Sequence, residues 1–351
     1  MLNRRALIAV PLVAVPALAL ASCSGSAGGS EAEGDGAGYT IVASTSVYAS
    51  LAEQVVGDHA EVTAIIDSAT QDPHDYEATA RDQLAVQGAD LVIMNGGGYD
   101  SFMDELVEGA NNGSGAEAIT VVAFNHDYPN DGTDGDEHAE GEHADDEHAE
   151  DEHADDEHAE DEHADDEHGE HEHNHIEGFN EHVWYDPHTI EHFVETLAEG
   201  LEERIPDAAD EIAANAESVI ADVAALEDQL AELETAHEGD AVFFTEPIGG
   251  YLAAGAGLED VTTEGFAEAV EEGQDVAPAT LLAALEAVEG GDVDVLVVNA
   301  QTGGSETDRL IDAANGSGVP IVEFAETLPD SATYSEWMSD NIASLAAALD
   351  S

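Results

Sequence analysis

Cysteine, lysine and aromatic residues are the scarce ones in this chain. Its one cysteine, Cys23, rules out an intrachain disulfide. There is no lysine, and five arginines stand against 81 acids for a formal charge of −76. A phosphate backbone would be repelled by that charge, so nucleic acid is excluded as a partner. Phe, Trp and Tyr make up 5% of the residues, and no basic or aromatic-rich cleft signature favours a siderophore or haem ligand. No GxSxG elbow occurs and no HExxH pair falls on a predicted helix, so the commonest hydrolase signatures are missing.

The amino terminus reads MLNRR and then ALIAVPLVAVPALALA, a charged start followed by an apolar run. Two prolines and a length near 16 residues suit a signal peptide (1–22) better than a permanent span. Leu20, Ala21, Ser22 and Cys23 resemble the lipobox of bacterial lipoproteins, which implies acylation of Cys23 and anchoring of the mature chain to a membrane. The Gly- and Ser-rich segment 23–38 reads as a flexible spacer. The expected location is extracytoplasmic, on the cell membrane.

Ten of the 17 histidines are concentrated in one insert. His138, His143, His148, His153, His158, His163 and His168 recur every fifth residue among Asp and Glu, and His171, His173 and His175 close the run. Imidazole suits zinc, copper, nickel and iron, while the carboxylates concentrate divalent cations. A charge run alone is ordinarily a solvated linker; the regular histidines turn the reading toward auxiliary metal capture. On a helix, residues five apart are rotated by about 140°, off the face that i, i+4 chelation needs. The segment also lacks large apolar residues to offset its chain entropy, so the loop 131–177 is expected to be a disordered collector. Affinity must come from elsewhere.

Short β-branched runs alternating with helical stretches predict an α/β fold with parallel sheets. Strands are expected at 39–44, 61–66, 89–94, 119–124, 241–245, 294–299 and 319–324. Two halves echo each other. GADLVIMNGGG, NGSG and ITVVAF match VDVLVVNAQTGG, NGSG and VPIVEF, and YTIVASTSVYASLAEQVVG resembles DAVFFTEPIGGYLAAGAG. This predicts two similar lobes, 39–185 and 239–351, joined by a helical region, 186–238. That region opens on Asp186 and Pro187, an N-cap and first helical residue. Beyond Pro206, Ile212, Ala216, Val219, Val223, Leu226, Leu230 and Leu233 form one apolar stripe, which predicts a long rigid connecting helix packed along both lobes.

Ligands of open α/β sheets bind beyond the carboxyl ends of the strands. Four polar residues satisfy this: His74 in QDPHDYEAT, His182 in NEHVWYDP, Glu246 after AVFFT, and Glu326 shortly after VPIVEF. Singly, each has an ordinary role as a turn or cap residue. Together, two neutral imidazoles and two carboxylates balance a divalent ion to zero net charge, which a buried cleft tolerates. Such a set can hold zinc tetrahedrally or manganese at higher coordination.

DPHDYEAT, ADLVIMNGGGYDSFMDEL, EHVWYDP, TEPIGGYLAAGAGL and VEFAETLP resemble the metal-binding lipoproteins that serve bacterial zinc and manganese ABC importers, the cluster A-I substrate-binding proteins. The resemblance runs over essentially all of the mature sequence and places the family's four metal ligands on His74, His182, Glu246 and Glu326. It implies a monomeric receptor that performs no reaction, captures Zn2+ between its lobes and delivers it to a membrane permease. A His-rich insert before the second ligand histidine is typical of zinc members. Glu246 stands where zinc members often carry histidine, and Glu326 where aspartate is common, so Mn2+ stays open as the substrate. The competing readings are a passive metal buffer, in which the insert is the whole function, and an adhesin, which no feature of the sequence supports.

The remaining histidines carry less. His188 and His192 are four apart on a helix but show no third ligand in the sequence, and His126 sits where the first half echoes Glu326. His59 and His237 stand alone.

Overall fold

The computed structural model describes residues 38–68, 71–111, 116–129, 176, 178–329 and 331–351. The leader, Cys23, the spacer and the ten insert histidines from His138 to His175 lie outside the described residues. Residues Gly38–Ser351 form one compact unit.

The first lobe runs β1 (Tyr39–Thr45), α1 (Ser46–Val56), β2 (Ala60–Ile66), α2 (Ala80–Gly88), β3 (Leu91–Met94), α3 (Ser101–Asn111) and β4 (Glu117–Thr120). Two helices follow, α4 (Pro187–Arg204) and α5 (Ala209–His237). The second lobe runs β5 (Ala241–Phe244), α6 (Gly250–Gly255), β6 (Glu259–Asp260), α7 (Ala267–Glu271), α8 (Pro278–Gly290), β7 (Val295–Asn299), α9 (Ser305–Ser317), β8 (Ile321–Phe324) and α10 (Tyr334–Leu349). Each lobe holds a four-stranded, all-parallel sheet, ordered β2-β1-β3-β4 in the first and β6-β5-β7-β8 in the second. The two orders are the same pattern, so the internal echo of the sequence is an echo of topology.

Strand residues alternate between two cores, as a parallel sheet covered on both faces requires. Ile41, Ala43, Leu91 and Ile93 point into a central core, while Val42, Val92 and Met94 face a smaller outer one. In the second lobe Val242, Phe244, Val295 and Val297 share that same central core, and Phe243, Leu296 and Val298 face outward. The central core is therefore common to both lobes.

Helix α5 makes it so. Its 29 residues span about 44 Å. The seven predicted stripe residues, Ile212 to Leu233, are its buried ones and belong to the central core. It packs on α1 of the first lobe and on α6 and α10 of the second. Burying each larger side chain contributes about 1.5–3 kcal/mol relative to exposure, so separating the lobes along this seam is costly. Asp186 caps α4 by accepting from the backbone N–H groups of His188 (3.2 Å) and Thr189 (3.3 Å), with Pro187 next in line.

Two strand expectations change. The run ITVVAF forms strand only to Thr120, and Val121–Phe124 is a 3-10 turn. Its ladder partner β3 ends at Met94, opposite Thr120, and the chain then turns so that Val121 and Val122 enter the central core. The second departure is β6, two exposed acidic residues on the edge of their sheet, too short and too polar to register as a strand pattern.

Candidate metal centre

His74 lies in the loop between β2 and α2. Its backbone N–H donates to Asp72 Oδ1 (2.9 Å), and Thr79 with Asp82 forms the capping box that starts α2 and ends the loop. The imidazole is 6% exposed and meets the Tyr99 ring edge-on, with centroids 4.9 Å apart.

His182 opens a 3-10 turn, Val183–Tyr185, whose side chains are fully buried. Asn180 Oδ1 accepts from the backbone N–H of His182 (3.0 Å) and lies 2.9 Å from its Nδ1. A carbonyl oxygen only accepts, so Nδ1 carries a hydrogen and Nε2 is left facing the cleft. Trp184 and Tyr99 pack against the ring at 5.1 and 5.9 Å. The turn is tied to the second lobe: Tyr185 Oη donates to the Ala325 carbonyl (2.8 Å), Tyr334 Oη to that of Trp184 (2.8 Å), and Asn180 Nδ2 to that of Pro247 (2.9 Å).

Glu326, two residues past β8, is fully buried. Its Oε1 lies 3.4 Å from His182 Nε2 and accepts from Asn299 Nδ2 (2.7 Å), while Oε2 accepts from Tyr99 Oη (3.2 Å). His74, His182 and Glu326 each offer a ligand atom within 4.8 Å of the others. Glu246, two residues past β5, stands beside this group. Its Oε2 accepts from the same Asn299 amide (2.7 Å), and the Thr302 hydroxyl donates to its carboxylate. Asn299 thus bridges the two carboxylates expected from the sequence.

A further acid enters that the sequence reading missed. Glu271, the last residue of α7, is 6% exposed, with Oε1 3.5 Å from His182 Nε2 and 4.0 Å from His74 Nε2. Together with Glu181 and His74 it forms a second cluster of possible ligands. Among so many acids a glutamate in AEAVEEG carries no local signal. Asn299 was legible as the counterpart of Asn95 in the repeat, though not its role.

Charge and burial set the protonation states. Burial alone would lower the His182 pKa, but Glu326 beside it, aided by Glu271, raises it to about 10. For Glu326, burial works upward and the His182 imidazolium outweighs it, leaving the carboxylate below its ordinary value. Burial pushes Glu271 and Glu246 upward. The cleft is an acid-rich pocket facing two imidazoles, electrostatically matched to a cation.

Beside Glu271 opens a cavity of about 550 Å³ whose wall includes Glu181, Asp260, Glu264, Glu268 and Glu272, together with Ile176, where the chain returns from the insert. Elsewhere, His188 groups not with His192 but with Glu191 and Glu227, whose ligand atoms lie within 4.8 Å of its own where α4 and α5 meet. His126 is 66% exposed next to Asp127, and His59 and His237 pair with Glu211 (3.0 Å) and Asp240 (2.8 Å).

Comparison with known proteins gives a consistent picture. Residues 41–348 match the family described as zinc-uptake complex component A, periplasmic. The manganese-binding lipoprotein MntA of Halalkalibacterium halodurans is 26% identical over 217 residues, 62% of this chain and 56% of that protein, so the chain spans little more than half of that relative. Among solved structures, the periplasmic zinc-binding protein TroA of Treponema pallidum superposes with a TM-score of 0.65 at 16% identity, covering 89% of this chain and 99% of that one. The binding protein FpvC of Pseudomonas aeruginosa in complex with Mn2+ gives 0.63 at 20% identity, covering 89% and 98%. At these identities the structural likeness establishes the fold.

Proposed function

This chain belongs to the family of periplasmic zinc-uptake components, and from that premise we propose that it is an extracytoplasmic receptor that captures Zn2+ between its lobes and delivers it to an ABC importer permease. It binds and releases its cargo without transforming it. The observation that carries this reading is the convergence of His74, His182 and Glu326, from two lobes, on one buried point. Asn180 fixes the His182 tautomer, and Tyr99 and Trp184 keep the donors dry, both of which strengthen binding. Two nitrogen donors and the His-rich insert favour zinc. The carboxylates and the MntA relative favour Mn2+ as the second reading. Cys23 would anchor the mature monomer by its lipid, and Cys23→Ser should leave the protein in the soluble fraction.

The test is competitive titration of zinc and manganese against a chelator, using the wild type, a chain lacking residues 136–175, and His74→Ala. Structural zinc sites are worth roughly 10–16 kcal/mol, or about 2.5–4 per ligand over four ligands, so His74→Ala should lose roughly a hundred- to a thousand-fold in zinc affinity. The deletion should keep the tight site. Tight binding that disappears with the insert and survives His74→Ala would make the protein a buffer instead, and a manganese preference in the wild type would reassign the cargo.

A further inference from the structure

Six side chains could serve the cleft, and their surroundings are not alike. Both oxygens of Glu246 are turned to neutral donors, Asn299 and Thr302, and Glu246 belongs to no group of ligand atoms within 4.8 Å of one another among the described residues. Glu271 is the opposite case. Its Oε1 is buried and makes no hydrogen bond, and the nitrogen nearest to it among the ion pairs, His182 Nε2, is likewise buried without one. A buried carboxyl oxygen left without a hydrogen-bond donor is unfavourable. The expense is explained if the position is built for a cation.

We propose that Glu271 is the fourth metal ligand, completing the set of His74, His182 and Glu326, and that Glu246 is a positioning residue which holds Asn299 against Glu326. The proposal rests on the reading of the cleft as a divalent-cation site. With metal–donor bonds of 2.0–2.1 Å, the edge of a zinc tetrahedron is about 3.3 Å. The separations of His182 Nε2 from Glu326 Oε1 (3.4 Å) and Glu271 Oε1 (3.5 Å) are near that edge, and that of His74 Nε2 from Glu271 Oε1 (4.0 Å) is modestly longer. Two imidazoles and two carboxylates neutralise the ion. Glu271 also lines the acidic cavity and clusters with Glu181 and His74, so it faces the cation both from the outside and from within. The fourth ligand thus comes from α7, the short segment between cavity and cleft, rather than from the end of β5.

Glu271→Gln, Glu271→Asp, Glu246→Gln and His74→Ala, each in the full chain, separate these roles. Weak binding by the insert is common to all and cancels in the comparison. Zinc affinity is read by chelator competition, and coordination by the visible absorption of the Co2+-loaded protein, which weakens when water replaces a protein ligand. Glu271→Gln should lose more than about 100-fold, beyond the range typical of residues behind the ligands, with a weakened Co2+ spectrum. Glu271→Asp should recover part of both. Glu246→Gln should stay within about 10–100-fold with the spectrum retained. Thermal unfolding of each metal-free variant confirms that folding is intact. Wild-type affinity and spectrum in Glu271→Gln, with both lost in Glu246→Gln, would overturn the assignment while leaving the cleft reading standing. Wild-type affinity in His74→Ala as well would sink the cleft reading and the assignment with it.

Discussion

The two lobes share one strand order but divide the chemistry between them. The first contributes imidazoles and aromatic rings, His74, His182, Tyr99 and Trp184, with one carboxylate, Glu181; the second contributes carboxylates and amides, Glu326, Glu271, Glu246 and Asn299. Equivalent positions have diverged. Asn95 follows β3 and gives its amide to the carbonyls of Gly96 (2.9 Å) and Glu181 (3.0 Å), while Tyr48 donates to its oxygen. Asn299, at the end of β7, gives its amide to two carboxylates. In one lobe the repeated asparagine braces backbone, and in the other it arranges charge. The shared strand order puts corresponding positions at the ends of two sheets, yet in this cleft the nitrogen atoms of His74 and His182 come from one lobe and the Glu326 and Glu271 oxygens from the other, so the symmetry is broken where the lobes meet.

Substituting the two asparagines should break the comparison most sharply. Asn299→Ala leaves Glu246 and Glu326 without their shared donor, and zinc affinity should fall by about 10–100-fold, as for other residues that orient ligands. Asn95→Ala strands Tyr48 Oη and two buried carbonyls, so unfolding free energy should fall by about 1–3 kcal/mol. Its zinc affinity should change by less than about tenfold, below the cost of an orienting residue. Urea unfolding and chelator competition on both variants read the two quantities. Equal effects on affinity would mean that the asparagines play the same part.

The sequence displayed the scaffold better than the site. Parallel strands, the two-lobe repeat and the α5 stripe were legible because each is a periodic pattern imposed by burial, repeated over many residues. His74 and Glu326 could be singled out because strand ends are where such sheets bind ligands, and His182 through the segment EHVWYDP. Glu271 could not. It reaches the cleft from a five-residue helix in a loop, through contacts with His74 and His182 that lie far away in sequence. Nor was the His182 environment visible. An ordinary imidazole would lose its zinc below about pH 6.5, whereas burial against Glu326 and Glu271 moves the competing protonation to about 10.

That shift sets a pH profile intermediate in size. In the metal-free protein His182 holds its proton up to about pH 10. Zinc requires the lone pair that the proton occupies, so binding expels a proton throughout the neutral range. Affinity should therefore rise by at least about one order of magnitude per pH unit between pH 6 and 9, and more steeply where Glu271, also pushed upward by burial, gives up its proton as well, rather than levelling off above 7. Calorimetry in buffers of different ionisation enthalpy counts the protons directly. A release near zero at pH 7.5 would show that the carboxylates do not hold His182 charged.

The smallest effect is expected at His126, and it tests whether the symmetry extends to function. His126 stands two residues past ITVVAF as Glu326 stands two past VPIVEF, yet it is 66% exposed and its neighbouring acid, Asp127, is about as open. The 3-10 turn at Val121–Phe124 is the reason. It ends β4 early and buries Val121 and Val122, and beyond the buried Asn125 the chain leaves His126 and Asp127 on the surface. An exposed imidazole in water adds little to a buried ion, because screening and solvent competition act on it fully. His126→Ala should leave zinc affinity and its pH profile within about twofold of wild type, a change below 0.5 kcal/mol. A tenfold loss would mean that the first lobe donates a third imidazole when metal is bound, and that the division between a nitrogen lobe and an oxygen lobe has been drawn at the wrong residues.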